Sequence, residues 1–384
     1  MNTKFIRTSL SALALVPMVL LLAHSSTAQV YAQSGTPAAT SEAAATGWKT
    51  YTDNMVSGKI IQPARASAVA PGCPVPPTKD KYVIGMAQTN KAEPWRTAMN
   101  DQLEAAVKDY PMFSLVITDA GADNAKQVAN VENFLTQGVD VLLVSPNEAA
   151  PLTEVISKAY KSCIPVVLLD RNILNQDYTM FIGANNVAIG QAAGQYTAQW
   201  CKDNKLSPCN IAELRGLEGS PPAKDRGDGF RLGIADNPDA KIIASQSANW
   251  LREKAVPIAT TMLQANDKVD VMYGHNDPMG EAAYIAAQSA GRDLSKILFV
   301  GIDGLPTPDG GIMSVLQKRL GLSVVYPTGA RQAIDWIKRI VVDHITPPVW
   351  VELPFETISP DSAQAVCDKY GCPQAKAAVA TATK

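Results

Sequence analysis

Histidine is scarce in this 384-residue chain, with three in all, and no CxxC or HExxH spacing occurs. These absences exclude the common zinc sites. GxSxG and GxxxxGK[ST] are also missing, which removes the nucleophile elbow and the phosphate-cradling loop. Neither sign of charge is in excess: 34 Lys and Arg stand against 36 Asp and Glu. No bulk positive field exists to hold nucleic acid or an acidic membrane surface. One long apolar run occurs, at 10–23, and Pro17 interrupts it. It is shorter than the roughly 20 residues a bilayer span requires.

That run has the flanks of an export signal. Lys4 and Arg7 precede it and Val30-Tyr31-Ala32 follows as a small-x-small cleavage site, with a second possible cut after Ala28. Residues 1–32 are therefore expected to be removed, leaving a soluble chain that starts near Gln33. No Cys follows the run, so a lipid anchor is not expected. The six cysteines then belong in an oxidising compartment. Proximity predicts Cys201–Cys209 and Cys367–Cys372. Topology predicts Cys73–Cys163, because Cys73 precedes the first strand, Cys163 precedes the fourth, and both fall at the amino-end edge of one parallel sheet.

Hydrophobic content of 46% against 18% charged residues allows two domains with real cores. Residues 33–80 are rich in Ala, Ser, Thr, Pro and Gly, without sustained period. They read as an N-terminal extension, more a mobile arm than a packed element, although it carries Trp48 and Tyr51. From Lys81 strands alternate with helices: β at 82–87, 114–118, 139–144, 164–169 and 179–183, with helices at 94–109, 122–136 and 149–161. The pattern then restarts, with helices at 187–204, 223–236, 251–265 and 279–291 and strands at 210–214, 241–246, 269–273 and 297–302. A strand at 321–325, a helix at 330–344 and a strand near 351–357 close the chain. Apolar strands joined by amphipathic helices imply parallel sheets covered on both faces, here in two α/β lobes.

Four strand ends carry polar groups: Leu168-Leu169-Asp170-Arg171, Val141 to Ser145, Val271 to Asp277 and Leu298 to Asp303. The carboxyl ends of strands in open α/β sheets are where ligands bind, so these tips suggest one convergent site. Asp170 can accept two hydroxyl protons, and Arg171 donates a rigid fork of N–H groups. The bland alternative is an ion pair closing the strand end.

Several motifs in order resemble the type I periplasmic sugar-binding proteins of ABC importers, in the ribose and galactofuranose group. They are Pro94-Trp95-Arg96-Thr97-Ala98, Gly138-Val139-Asp140, Ile164 to Arg171, Cys209 to Gly216, Asp225 to Phe230, Ser245 to Trp250, His275-Asn276-Asp277 and Gly301 to Gly304. Trp95-Arg96-Thr97-Ala98, Ser245-Gln246-Ser247 and Tyr273-x-His275-Asn276-Asp277 look most like the galactofuranose-binding branch. The resemblance implies two doubly wound parallel-sheet lobes joined by a three-crossing hinge. Mapped here, lobe one is 81–184 plus 328–345, lobe two is 185–327 plus 346–372, and 373–384 is a flexible tail. The crossings would fall near 183–186, near Tyr326 and near 344–348.

The resemblance also assigns roles. Trp95 and Trp250, one from each lobe, would face the apolar C–H surfaces of a monosaccharide, or else serve as core aromatics. Asp170, Arg171, Arg226, Asn276 and Asp303 would hold its hydroxyls, with Glu93 and Arg96 at the rim. Ser145 stands where ribose binders carry Asn. The position near Val325 is apolar where the group offers Gln or Glu, and the phenol of Tyr326 could compensate. Asp225 and Asp277 read as helix N-caps.

Two carboxylates facing a sugar are also what a glycosidase needs. Arg171 and Arg226 are expected to depress both pKa values and leave no general acid, so no catalysis and no cofactor are expected. A sugar-responsive repressor would carry a helix-turn-helix where this chain carries its export signal. The expected partners are a monosaccharide and a membrane ABC permease, with the protein a monomer. A polyol, an autoinducer-like ligand or a role in chemoreception are the alternatives.

Overall fold

Two parallel sheets organise the computed structural model, which describes residues 58–372. The signal segment, Trp48, Tyr51 and the tail at 373–384 lie outside the described residues.

The first sheet has seven strands. In chain order they are β1 (Lys59–Ala64), β2 (Tyr82–Gln88), β3 (Phe113–Asp119), β4 (Val141–Val144), β5 (Val166–Leu169), β6 (Met180–Ala184) and, from far along the chain, β12 (Pro348–Leu353). Their spatial order is β1-β12-β6-β5-β4-β2-β3. All neighbours are parallel except β1, which runs antiparallel to β12 at the edge. Helices α1 (Pro94–Val107), α2 (Asn124–Gln137) and α3 (Ala149–Lys161) make the crossovers. β4, β5 and β6 are buried along their whole length, as strands covered on both faces must be, and this is why their sequences are unbroken apolar runs.

The second sheet has the order β10-β9-β7-β8, all parallel. It comprises β7 (Cys209–Arg215), β8 (Ala240–Ser247), β9 (Val271–Gly274) and β10 (Leu298–Val300). Around it pack α4 (Asn186–Asp203), α5 (Pro221–Ile234), α6 (Arg252–Ala265), α7 (Asp277–Ser289) and the short α8 (Gly311–Leu316). Isolated parallel bridges, Val300 to Leu322 and Asp303 to Val325, lead on to β11 (Ser323–Val325), which pairs antiparallel with β13 (Glu356–Ile358). α9 (Ala330–Val341) returns to the first lobe and packs on α1 and β5; α10 (Ala363–Tyr370) packs on α8.

Strand order reverses between β2 and β4 in the first sheet and between β7 and β9 in the second. Such switch points open a crevice at the carboxyl ends of the strands. Both crevices carry the polar tips named from the sequence.

The structure corrects three sequence expectations here. Residues 348–353 were expected in lobe two, but β12 pairs with β6 and β1 in the first sheet. The third crossing therefore lies between Leu353 and Glu356 rather than near 344–348. The parallel pairing with β6 decides this, and that neighbour is not visible in the local sequence. Part of the supposed mobile arm is fastened: β1 completes the sheet edge, and Arg65 donates to the carbonyls of Tyr178 (2.6 Å) and Gln176 (2.8 Å). The disulfide Cys73–Cys163 ties the same segment down.

Cys201–Cys209 is also formed, but Cys367 and Cys372 are thiols. Cys367 is buried in the last turn of α10, and Gly371 ends that helix in the left-handed conformation, with the Cys372 N–H donating to the Cys367 carbonyl at 3.1 Å. The backbone capping bond sets the spacing of the two residues, which proximity in sequence had suggested for a bridge.

α4 and α5 touch through glycine. A Cβ on Gly190 would lie 2.2 Å from the Arg226 carbonyl, and one on Gly229 would lie 2.0 Å from the Val187 carbonyl. This close approach seats α5, and with it Arg226, over the cleft.

Candidate functional site

α1 starts at a proline, and Glu93 precedes it as N-cap without a side-chain capping bond. The Glu93 carboxylate instead accepts from Asn90 Nδ2 at 2.7 Å. Trp95 and Arg96, in the first turn, are both buried and turn into the crevice. The Trp95 indole N–H donates to the Tyr326 carbonyl at 2.8 Å, and the two rings lie 5.2 Å apart, tilted by 31°. Arg96 forks: one nitrogen donates to Ser145 Oγ at 2.5 Å and the other to Asp170 Oδ2 at 2.8 Å. Ser145, standing where ribose binders carry Asn, thus serves the guanidinium.

Asp170 follows β5 in a left-handed conformation, φ 66°, a strained choice for a residue with a Cβ and one that tends to mark functional positions. Its second oxygen accepts from the Tyr326 hydroxyl. Arg171 donates to the Asn147 carbonyl at 2.8 Å and holds its guanidinium 5.6 Å from the Trp250 ring. Burial, with the positive charge of Arg96 beside it, lowers the Arg171 pKa to about 10, so it stays charged.

From the second lobe, Arg226 on α5 donates through Nε to Asn186 Oδ1 at 2.9 Å and through Nη1 to the His275 carbonyl. Its guanidinium stands 4.4 Å from the Tyr326 ring and 5.3 Å from the Trp250 ring, within cation–π range of both. Trp250 is left-handed, φ 73°, and buried, with an indole N–H that has no partner. Asn276 holds the Trp250 carbonyl at 3.0 Å and caps α7 by accepting from Met279 N at 3.1 Å. The cap of α7 is thus Asn276 and not Asp277, and α5 is preceded by Ser220, with Asp225 inside the helix. In both cases the residue just before the helix, not the acidic one within it, has the extended backbone that a cap requires.

The ten residues named from the sequence, Glu93, Trp95, Arg96, Asp170, Arg171, Arg226, Trp250, Asn276, Asp303 and Tyr326, line one cavity between the lobes. Its volume is about 20 Å³, room for about one water. Any larger ligand needs these walls to part.

The sequence had missed Asn186. It takes the Arg226 Nε proton and donates to the Tyr326 hydroxyl at 3.1 Å. A continuous bonded chain therefore runs from Arg226 through Asn186, Tyr326 and Asp170 to Arg96, from one lobe to the other. Asn186 lies at the start of α4, next to the first crossing, and no motif singled it out. Behind Arg226 stand the buried Glu213 and His275, with Arg231 and Ser245 reaching Glu213 from the exposed side. Burial alone would push Glu213 up, but hydrogen bonds from His275 (3.1 Å), Arg231 (2.8 Å) and Ser245 (2.6 Å) outweigh it and hold the carboxyl at about 2. Burial lowers the His275 pKa. With the Gly216 N–H pointing at Nδ1 (3.4 Å), the neutral imidazole carries its proton on Nε2 and donates a hydrogen bond from it to the Glu213 carboxylate.

Asp303 departs from expectation. Depression by arginine was expected, yet burial pushes its carboxyl well above the usual 3.8, and Asp277 adds to the rise. Asp277, the first residue of α7, accepts from Ser323 Oγ at 2.6 Å and from Gly304 N at 2.7 Å, but burial still raises it to about 7. Desolvation beats a single distant guanidinium here. The folded state therefore binds a proton that the unfolded chain releases near its ordinary 3.8. Stability from this group is fully present below that value and is lost as pH rises through about 7. Urea midpoints measured from about pH 5 to about pH 8 should fall less steeply in Asp277→Asn than in the parent. Parallel slopes in the two proteins would refute the assignment.

Two parallel-sheet lobes whose strand ends converge on an interlobe crevice define a two-lobed ligand-binding fold. The periplasmic binding protein domain matches residues 84–322, and the chain belongs to that family. It is 30% identical over 246 residues to the ribose import binding protein of Bacillus subtilis (strain 168), covering 64% of this chain and 76% of that one. It is 31% identical over 230 residues to the galactofuranose-binding protein of Escherichia coli (strain K12), covering 58% and 71%. Among solved structures it is similar to the fructose-binding periplasmic domain of a hybrid two component system, with TM-score 0.72, 36% identity and coverage of 76% of this chain and 94% of that one. A galactofuranose-binding protein matches with TM-score 0.70, 28% identity and coverage of 76% and 98%.

Proposed function

We propose that this chain captures a neutral monosaccharide in the interlobe cleft and delivers it to a membrane ABC importer, with a furanose such as galactofuranose favoured over ribose. The observation that carries this reading is the meeting of two indoles, three guanidiniums and three carboxyls from both lobes around one cavity. Flat aromatic faces suit C–H surfaces, and forked donors beside carboxylates suit vicinal hydroxyls. The related galactofuranose-binding proteins support the furanose.

Closure drives the mechanism. In the contracted state Asp170 is occupied by Arg96 and Tyr326. Opening at the crossings frees the cleft, a sugar exchanges its hydroxyls for these internal partners, and the lobes close over it. Hinge closure around ligands is a known motion of periplasmic binding proteins. Only contacts present in the closed state favour closing. The closed surface then meets the permease. Export by residues 1–32 to the periplasm, action as a monomer, and binding without catalysis belong to the same reading.

A thermal-shift screen of the purified chain against aldoses, ketoses, furanosides and polyols tests it. At a thousandfold excess over Kd a ligand adds about 4 kcal/mol of stability, and Trp95 and Trp250 should change emission. If no sugar shifts the unfolding temperature, sugar capture is wrong and a polyol or autoinducer-like ligand replaces it.

A further inference from the structure

Outside the inner cavity the cleft widens into a vestibule of about 220 Å³, against about 20 Å³ within. Glu93 and Trp250 line both spaces, so the two are neighbours across one indole and one carboxylate. Lobe one contributes Asn90, Asp119 and Asn147 to the vestibule, and lobe two contributes Asn249 and Lys254. Amides, carboxylates and an ammonium set beside an indole form a wall of the same chemistry as the inner site: donors and acceptors for hydroxyls next to a flat apolar face.

The Trp250 indole, which walls both spaces, has a buried N–H without a partner, and a buried donor left unmade is costly. The rims also carry non-glycine residues in left-handed backbone on both sides, at Ala122 (φ 62°) from lobe one and at Asn249 (φ 54°) and Trp250 (φ 73°) from lobe two. Strain facing across a cleft is retained where the walls must keep a set shape. A monosaccharide in the inner cavity would leave this wall facing only water.

We propose that the vestibule is a second sugar subsite, so that the preferred ligand is a glycoside: its furanose ring enters the inner cavity and a second ring rests outside Trp250, against Asn249 and Lys254. This rests on the sugar-capture reading above and extends it.

Calorimetry with matched pairs separates the two. Free galactose is compared with a β-galactofuranosyl disaccharide, and free fructose with sucrose. In the pair that binds, the disaccharide should bind about tenfold or more tightly than its monosaccharide, a margin set by several added hydroxyl contacts. Lys254→Ala, at an exposed position, should remove most of that margin while leaving monosaccharide affinity within about twofold. If a monosaccharide binds and its disaccharide does not, the subsite is refuted and sugar capture stands. If Lys254→Ala weakens both equally, or neither, the vestibule is not a second subsite. Should no member of either pair bind while other sugars do, methyl furanosides of those sugars replace the disaccharides, and their exclusion refutes the proposal. Binding of no sugar at all would sink the sugar-capture reading and the subsite with it.

Discussion

Asp170→Ala is expected to lose both ligand affinity and stability, the larger surprise being the second. The carboxylate lies 2.8 Å from the Arg96 guanidinium and 3.6 Å from that of Arg171, and all three side chains are no more than 4% exposed. Deleting the anion leaves two buried cations facing each other, and removing one partner of a buried pair costs about 3–5 kcal/mol. Sugar affinity should fall at least tenfold, through lost charge-assisted bonds of about 1.5–3 kcal/mol each. The pairing with Arg96 is what couples stability to affinity at this position. Asp170→Asn keeps the shape and one acceptor, so it should retain more stability than the alanine variant while losing comparable affinity. Urea unfolding and calorimetry on both variants check this. A parent-like urea midpoint for Asp170→Ala would show that Arg96 and Arg171 do not depend on it.

Breaking Cys73–Cys163 should destabilise the protein more than breaking Cys201–Cys209. The first bridge closes a loop of sequence separation 90, the second one of 8. In the chain-entropy account a disulfide is worth about 2–5 kcal/mol, and this difference in loop length adds about 2 kcal/mol to the longer one. Cys73 also fastens the segment that carries β1 to the sheet edge, so native packing is lost with it. Thermal unfolding of Cys73→Ser/Cys163→Ser and of Cys201→Ser/Cys209→Ser, each against the parent, measures both. Equal shifts, or a larger one for the short loop, would contradict the ranking.

Strand ends were legible because a parallel sheet buried on both faces demands continuous apolar runs, and Leu168-Leu169-Asp170 breaks from apolar to charged where β5 leaves the core. The turn residues at 94–96 and 249–250 were legible through motif resemblance. Asn186 was not, since nothing in its neighbourhood distinguishes a residue that bonds to groups 40 and 140 positions away. The raised Asp303 carboxyl was misread for a related reason: adjacency to Arg226 could be guessed, but the desolvation that outweighs it is a property of the packed interior.

By itself, then, the sequence determined what local chemistry determines: the alternation of strands and helices, the strand ends that carry charge, and the short Cys201–Cys209 pair. Period and composition act over a few residues, and these features are written at that range. The tertiary structure decided the rest. It placed β12 beside β6, carried the third crossing past Leu353, left Cys367 and Cys372 unbridged, and joined Arg226, Asn186, Tyr326, Asp170 and Arg96 into one chain across the lobes. Each of these depends on which distant segments meet and how much water they exclude when they do, and no short stretch of sequence contains that information.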